Sequence, residues 1–402
     1  MGGMTFLADA TILPVMVKSL GGPLWLMTAV PILMSVGIQI PSLFTAHWIE
    51  KVHWVKPLIM TTGVLQRLPY LLAGLSLIYL APSHPAAALA MVALCPLVSG
   101  LASGITQSAW QELVAKTIPP NRRSSLWAVR STIGALIGLS AGAVVYTVLN
   151  RYPATTGYGI LHIIMLAFLA GSYVIFGAIR ETDLPPRPDR QTPTLSANLK
   201  TVPSLIAGNL QFRRYLLSYA LSAGWIIVMP FMAVHALGVL ARSDSFAGFF
   251  LSAQMAGGMI GNLVGGFLGD RIGGRIVVLL SRLAMCILCV GMLLAASMWQ
   301  FLAAFAVLGM AVSFNIIGNM TLGLEICPLH KRATHLSVIS AVGVVTSLSA
   351  AGLGALAWRV TSGSFAWVAL LAAAAIIASA FLVWRLEEPR HGSAVPAIDL
   401  PA

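Results

Sequence analysis

Six ionisable residues lie inside or at the ends of long apolar runs: the acids Asp9, Glu112 and Glu325 and the bases Arg67, Arg130 and Arg282. A charge enclosed in low dielectric is costly unless it is paired, so each is a candidate for function by default. Asp9 sits midway along the first run. There a carboxylate takes up a proton readily, which is the chemistry of a proton-coupling site. The competing reading makes Asp9 a helix cap at the mouth of a shortened run. Glu112 ends the fourth run and Arg130 begins the fifth, so the two are placed either for a salt bridge that gates one end of a pathway or for a permanent structural pair. Glu325 ends the tenth run, where a structural role is expected. Arg67 and Arg282 both occur within Leu-x-Arg-Leu and are expected to serve packing or a helix terminus.

Neutral polar residues form a second set. Gln107 and Gln111 flank Trp110 on the fourth run, and Asn315 and Asn319 lie on the tenth. Each amide pair shares a helix face at i, i+4. The seventh run carries Tyr219, Trp225 and, nearer its far end, His235. The amides could line a solute pathway or bond between helices, and both readings stand. No P-loop, H-E-x-x-H or G-x-S-x-G occurs, so neither ATP hydrolysis nor these hydrolytic chemistries are indicated, and no enzyme, cofactor or metal is expected. Cys286 and Cys289 are spaced C-x-x-C but within an apolar run, where small packing residues are expected rather than a redox or zinc pair.

The elements that must hold these residues follow from composition. Of 402 residues only 9% are charged and 58% are apolar. A soluble domain carries about 25% charged residues, so this chain cannot clothe a water-facing surface. It reads as an all-α polytopic membrane protein. Scanning for runs of about 20 apolar residues yields twelve spans. The first, 2–18, is short and has no preceding basic region, so a truncated or misplaced start is expected and a cleavable signal peptide is not.

Charge sets the orientation. With the N-terminus inside, seventeen Lys and Arg fall in cytoplasmic segments and four in outer ones. This bias supports an even number of spans with both ends in the cytoplasm. The net charge of +12 is therefore a membrane rim scattered over many loops, and not a nucleic-acid face. A hydrophilic stretch, 181–212, divides the chain into an N-terminal bundle, 1–180, and a C-terminal bundle with a short tail, 213–402. Within it Leu195 to Leu210 could form an amphipathic helix on the inner membrane face.

The halves are weakly alike. Pro119 and Arg123 fall on Pro328 and Arg332, and Gly134 on Gly343, with an offset of 209; Arg67 falls on Arg282 with an offset of 215. Six spans plus six with parallel similarity is a layout of transporters built from two pseudo-symmetric bundles.

After the eighth span comes Gly266-Phe267-Leu268-Gly269-Asp270-Arg271-Ile272-Gly273-Gly274-Arg275. This resembles the G-x-L-x-D-R-x-G-x-[RK] loop of the major facilitator superfamily, at the position between helices 8 and 9 where that family has it. Its glycines are expected to let helices 8 and 11 approach closely, with Asp270 capping or pairing and Arg271 and Arg275 anchoring the cytoplasmic turn. The first-half counterpart, 46–56, keeps Glu50 and Lys51 but lacks the glycines, which marks a divergent bacterial branch. The fifth span lacks the G-x-x-x-G-P pattern of drug antiporters and has Gly134, Gly138 and Gly142 at four-residue spacing. The resemblance covers essentially the whole chain.

The resemblance implies a major facilitator fold with spans 1, 4, 7 and 10 around a central cavity and spans 3 and 9 at its periphery. It implies a secondary active transporter working by alternating access in the bacterial inner membrane. Its partners would be a small-molecule substrate, protons and the lipid bilayer, and it would act as a monomer. Export is the expected direction, with uptake symport or a non-transporting sensory role as alternatives. The substrate cavity would comprise Gln107, Trp110, Gln111, Tyr219, Trp225, Asn315 and Asn319, and the gates Glu112, Arg130, Glu325, Asp270, Arg271 and Arg275, with Asp9 coupling protons.

Overall fold

A computed structural model describes residues 2–49, 52–118, 123–182, 209–327 and 332–387. The amphipathic stretch within the central segment lies almost wholly outside these residues, as do Glu50 and Lys51. All regular structure in the described residues is helical, as a bilayer demands, because only intrahelical bonding satisfies a lone segment's backbone in hydrocarbon. Eleven of the helical segments are long and apolar enough to span a membrane.

The first span is the exception. A 3₁₀ turn, Gly2–Leu7, is followed by an irregular stretch and then by α1, Ile12–Ser19. The expected continuous helix is therefore broken. Pro14 explains the break: it has no N–H to give the Ala10 carbonyl, and its ring crowds that carbonyl. At the break the Ala8 carbonyl gathers the N–H groups of Thr11, Ile12 and Leu13.

The rest of the N-terminal half comprises α2, Leu24–Ile49; α3, Lys56–Leu75, prolonged by a π-helical turn Ser76–Leu80; α4, Pro85–Thr117; α5, Arg123–Arg151; and α6, Ala154–Gly177. The C-terminal half begins with α7, Leu210–Ser222, whose first turn is capped by the Asn209 side chain accepting from the Phe212 N–H. It continues as α8, Gly224–Leu240. The junction at Ala223 is tightened by i→i+3 bonds, Ala223 N–H to Ala220 and Ile226 N–H to Ala223. Span 7 is thus interrupted as span 1 is. Then follow α9, Ala247–Arg271; α10, Gly274–Leu294; α11, Met298–Ile326; α12, Arg332–Val360; and α13, Phe365–Trp384. Ser297 and Gln300 form a capping box at the start of α11.

Packing repeats between the halves. In the first, α2 packs on α4, α3 on α4 and α3 on α6; in the second, α9 packs on α11, α10 on α11 and α10 on α13. Two symmetric contacts join the halves, α5 with α9 and α2 with α12. The glycine stripe of span 5 serves the first of these: Gly138 lies against Met255, and Gly142 against Ser252 and the Gly248 carbonyl. Ser252 Oγ donates to the Leu139 carbonyl at 3.0 Å, and the Tyr146 ring meets Phe246 and Phe249. These contacts occupy the predicted outer half of α5.

A central cavity and its polar wall

A cavity of about 290 Å³ lies between the halves. It is bordered by the span 1 break and by α2, α3, α4 and α6 from one side, and by α8, α9 and α11 from the other. Both interrupted spans reach it at their breaks, through Asp9 and Trp225. Irregular backbone at membrane depth is tolerated where it lines such a space. Asp9 is surrounded by protein yet keeps accessible surface, because it borders the cavity. Among the described residues it makes no ion pair.

Further polar residues face the same space, Thr5 of the 3₁₀ turn among them. Tyr70 comes from α3, His162 from α6 and Gln254 from α9. His162 Nδ1 lies 2.8 Å from the Tyr158 carbonyl, one turn back. A carbonyl only accepts, so Nδ1 carries the proton and Nε2 of the neutral ring is an acceptor. Gln254 is buried and its Oε1 has no hydrogen-bond partner. No motif marks His162 or Gln254 in the sequence; their only signal is polarity in the interior of spans 6 and 8.

Of the seven residues expected to line the substrate cavity, Trp225 borders this one. Gln107 and Gln111 are exposed elsewhere on α4. Asn315 and Asn319 do share a face, with Asn319 Nδ2 donating to Asn315 Oδ1 at 2.8 Å. That face turns to Arg282, which is fully buried and whose Nη1 donates to Asn315 Oδ1 at 2.6 Å and Nε to Ser379 Oγ at 3.0 Å. Tyr215 closes the chain by donating to the Asn319 carbonyl at 3.3 Å, and Tyr219 sits beside Gly343 and Gln39, at the α2–α12 contact. His235, near the end of α8, stacks on Phe365 with ring centroids 4.0 Å apart.

Arg67 is the first-half counterpart of Arg282. It reaches from α3 to α6, donating through Nε to the Leu169 carbonyl at 2.9 Å and lying over the Tyr173 ring. Arg282 likewise reaches from α10 to α13. Both tie a peripheral span to the last span of their half.

The gate candidates are dispersed. Arg130 lies over the Trp110 ring at 4.9 Å, and Glu112 is exposed, with no ion pair among the described residues. In this conformation Arg130 therefore meets Trp110 and not Glu112. Glu325 accepts from the Gly274 N–H at 3.2 Å, placing a carboxylate at the N-terminus of α10, where the helix dipole favours it. Arg275 donates to the carbonyls of Val383 and Trp384 at the C-terminal end of α13, the complementary arrangement. Arg271 stacks on Phe267, and Asp270 is exposed. The loop glycines do not join helices 8 and 11. Gly269 and Gly274 face Ile317 and Leu322 of α11, the tenth span, and nothing lies close to Gly266.

One ionic cluster on the predicted cytoplasmic face has no sequence motif. Glu181, just beyond α6, accepts from the backbone N–H groups of Val55 and Lys56 at 3.1 and 2.9 Å and from Lys116 Nζ at 3.0 Å. Lys116 also donates to the His53 carbonyl, and Lys56 Nζ to the carbonyls of Gly177 and Ile179. Burial acts to raise the Glu181 carboxyl. The Lys56 and Val55 amides and the Lys116 ammonium together outweigh it and hold the group below its ordinary value. The cluster clasps the ends of α3, α4 and α6.

The comparisons agree with this architecture. Residues 214–400 match the model of the Major Facilitator Superfamily. A mutant of the nucleoside transporter NupG superposes with a TM-score of 0.70 at 14% identity, covering 96% of each chain. A D-xylose-proton symporter gives 0.69 at 12% identity over 97% of this chain and 96% of its own. A bacterial homologue of the iron transporter ferroportin, in an inward-facing state, gives 0.66 at 15% over 96% of each. No functionally curated protein matches the chain. The second half thus matches the model of the Major Facilitator Superfamily, and the whole chain has the fold of these solved transporters.

Proposed function

We propose that this protein is a secondary active transporter that moves a small organic solute across the cytoplasmic membrane by alternating access, coupled to protons and working in the direction of export. The observation that carries the reading is Asp9, a lone carboxylate at the break of span 1 that borders a cavity between two pseudo-symmetric halves. A group that carries charge across must be able to shed it, and a carboxylate does so by taking a proton. Rocking of the halves about the cavity would present it to each side in turn. The α5–α9 contact on the predicted outer side supports a conformation closed to that side.

The test is reconstitution in proteoliposomes with an imposed pH gradient. Solute flux should follow the gradient in the wild type and vanish in Asp9→Asn. A wild type that binds a solute but moves none of it under any gradient would overturn the reading and favour a sensory role on the same scaffold.

A further inference from the structure

The cavity wall has a one-sided chemistry. Among the described residues it carries a carboxylate, Asp9, and no Lys or Arg. Two further polar atoms on it are open acceptors. His162 spends its Nδ1–H on the Tyr158 carbonyl, which leaves Nε2 as an acceptor, and Gln254 Oε1 is buried without a donor. An acceptor left without a donor in such a place is costly, so a ligand that brings donors recovers that cost. An anion would meet Asp9 with no cation to offset it.

The remainder of the wall is apolar and adaptable. Met4, Met34, Met165, Met229 and Met255 border the space with Trp225. Thioethers repack around varied shapes, and an indole face attracts a cation as well as burying apolar surface. The volume, about 290 Å³, is at the small end of the range for organic ligand sites.

From these features we infer that the cavity binds amphipathic organic cations of the protonated-amine class. The ammonium would pair with Asp9 and donate toward His162 and Gln254, and the hydrocarbon body would rest among the methionines and Trp225. This deepens the transport reading and rests on it for direction and coupling only; binding can be tested alone. It also gives Asp9 two mutually exclusive occupants, a proton and an ammonium, which is the condition for exchanging one for the other.

The experiment compares three probes of similar size on the purified full chain by isothermal titration calorimetry: 2-phenylethylamine, 2-phenylethanol and 3-phenylpropanoate. The amine should bind at least tenfold tighter than the alcohol, and the carboxylate should show no saturable binding. Asp9→Asn should cost the amine at least tenfold and leave the alcohol within twofold, the alcohol thereby reporting an intact fold. Asp9→Glu should keep the preference for the amine. Equal or tighter binding of the carboxylate, an unchanged amine preference in Asp9→Asn, or no saturable binding of any probe would overturn the assignment. Flux separates the two readings. Selective amine binding without gradient-driven flux would sink transport and support the site, whereas Asp9-independent flux of a neutral or anionic solute would sink the site and support transport.

Discussion

Arg282 Nη1 donates to Asn315 Oδ1 at 2.6 Å in the interior of the C-terminal half. Arg282 is fully buried, its Nη2 has no partner, and among the described residues no carboxylate pairs with it. Its charge is held by neutral acceptors alone. Removing one should therefore cost more than a neutral hydrogen bond does. Asn315→Ala is expected to destabilise by about 2–3 kcal/mol, the scale of a hydrogen bond to a charged group. Arg282→Met, which removes the charge together with its need for partners, should cost less. Melting curves in one detergent decide this. An Asn315→Ala protein that melts with the wild type would show that the amide is not what holds the guanidinium.

This network also shows where sequence reasoning stops. The spans were legible because a bilayer imposes length and apolarity on every crossing segment, and orientation could be argued from scattered Lys and Arg. That Asn315 and Asn319 share a face follows from helix periodicity. Which way the face turns does not, because a span that is apolar all round carries no amphipathic phase. The pair could equally have met the cavity or Arg282, and it meets Arg282. Asp9 was visible as an acid in an apolar run. The break that presents it was written only in Pro14, which resembles several prolines that sit inside unbroken helices, such as Pro31, Pro69 and Pro96.

The Glu181 cluster makes a pH-dependent prediction. Its carboxyl is held below the ordinary value when folded, so the cluster stabilises the folded state fully above the unfolded value, about 4.3 for Glu. That contribution is lost as pH falls from there through the folded value. The melting temperature should be flat on this account from pH 7 to about 5 and decline below the ordinary Glu range. Glu181→Gln should melt several degrees lower at pH 7 and lack that part of the acid decline. Equal melting of the two proteins at pH 7 would show that Lys116 and the two amides gain nothing from the charge.

Gly142 and Gly248 set how closely α5 and α9 approach. A Cβ at Gly142 would collide with Ser252 Oγ and with the Gly248 carbonyl, and the latter is backbone that cannot swing aside. Gly142→Ala should leave α5 itself intact, since alanine favours helix. It should instead penalise the closed contact by about 1–3 kcal/mol, as overpacking does. At tenfold per 1.4 kcal/mol, the closed-to-open ratio on the predicted outer side should fall by about fivefold to a hundredfold. Spin labels at Tyr152→Cys and Val239→Cys would report a longer distance population in the variant. An unchanged distance distribution between α5 and the outer end of α8 would mean that the added methyl does not part the halves, and that the Gly142 contact is not the seal.

Competition at Asp9 gives the sharpest pH signature. An ammonium and a proton cannot occupy one carboxylate together, so the apparent affinity for a cationic amine should fall as pH falls through the titration of Asp9. With one competing proton the decline approaches tenfold per pH unit. The other titratable groups bordering the cavity are Tyr70 from α3, Cys95 from α4 and His162 from α6; α2, α8, α9 and α11 contribute none. Between pH 5 and 7 an ordinary phenol or thiol is neutral. His162, if it gained a proton, would repel the ammonium and act in the same direction. The two are separated by mutation. His162→Gln should keep the pH dependence of amine binding, whereas Asp9→Asn should bind weakly and without pH dependence. If the dependence instead survives in Asp9→Asn and disappears in His162→Gln, the proton is exchanged at the imidazole, and Asp9 serves only to bind the cation.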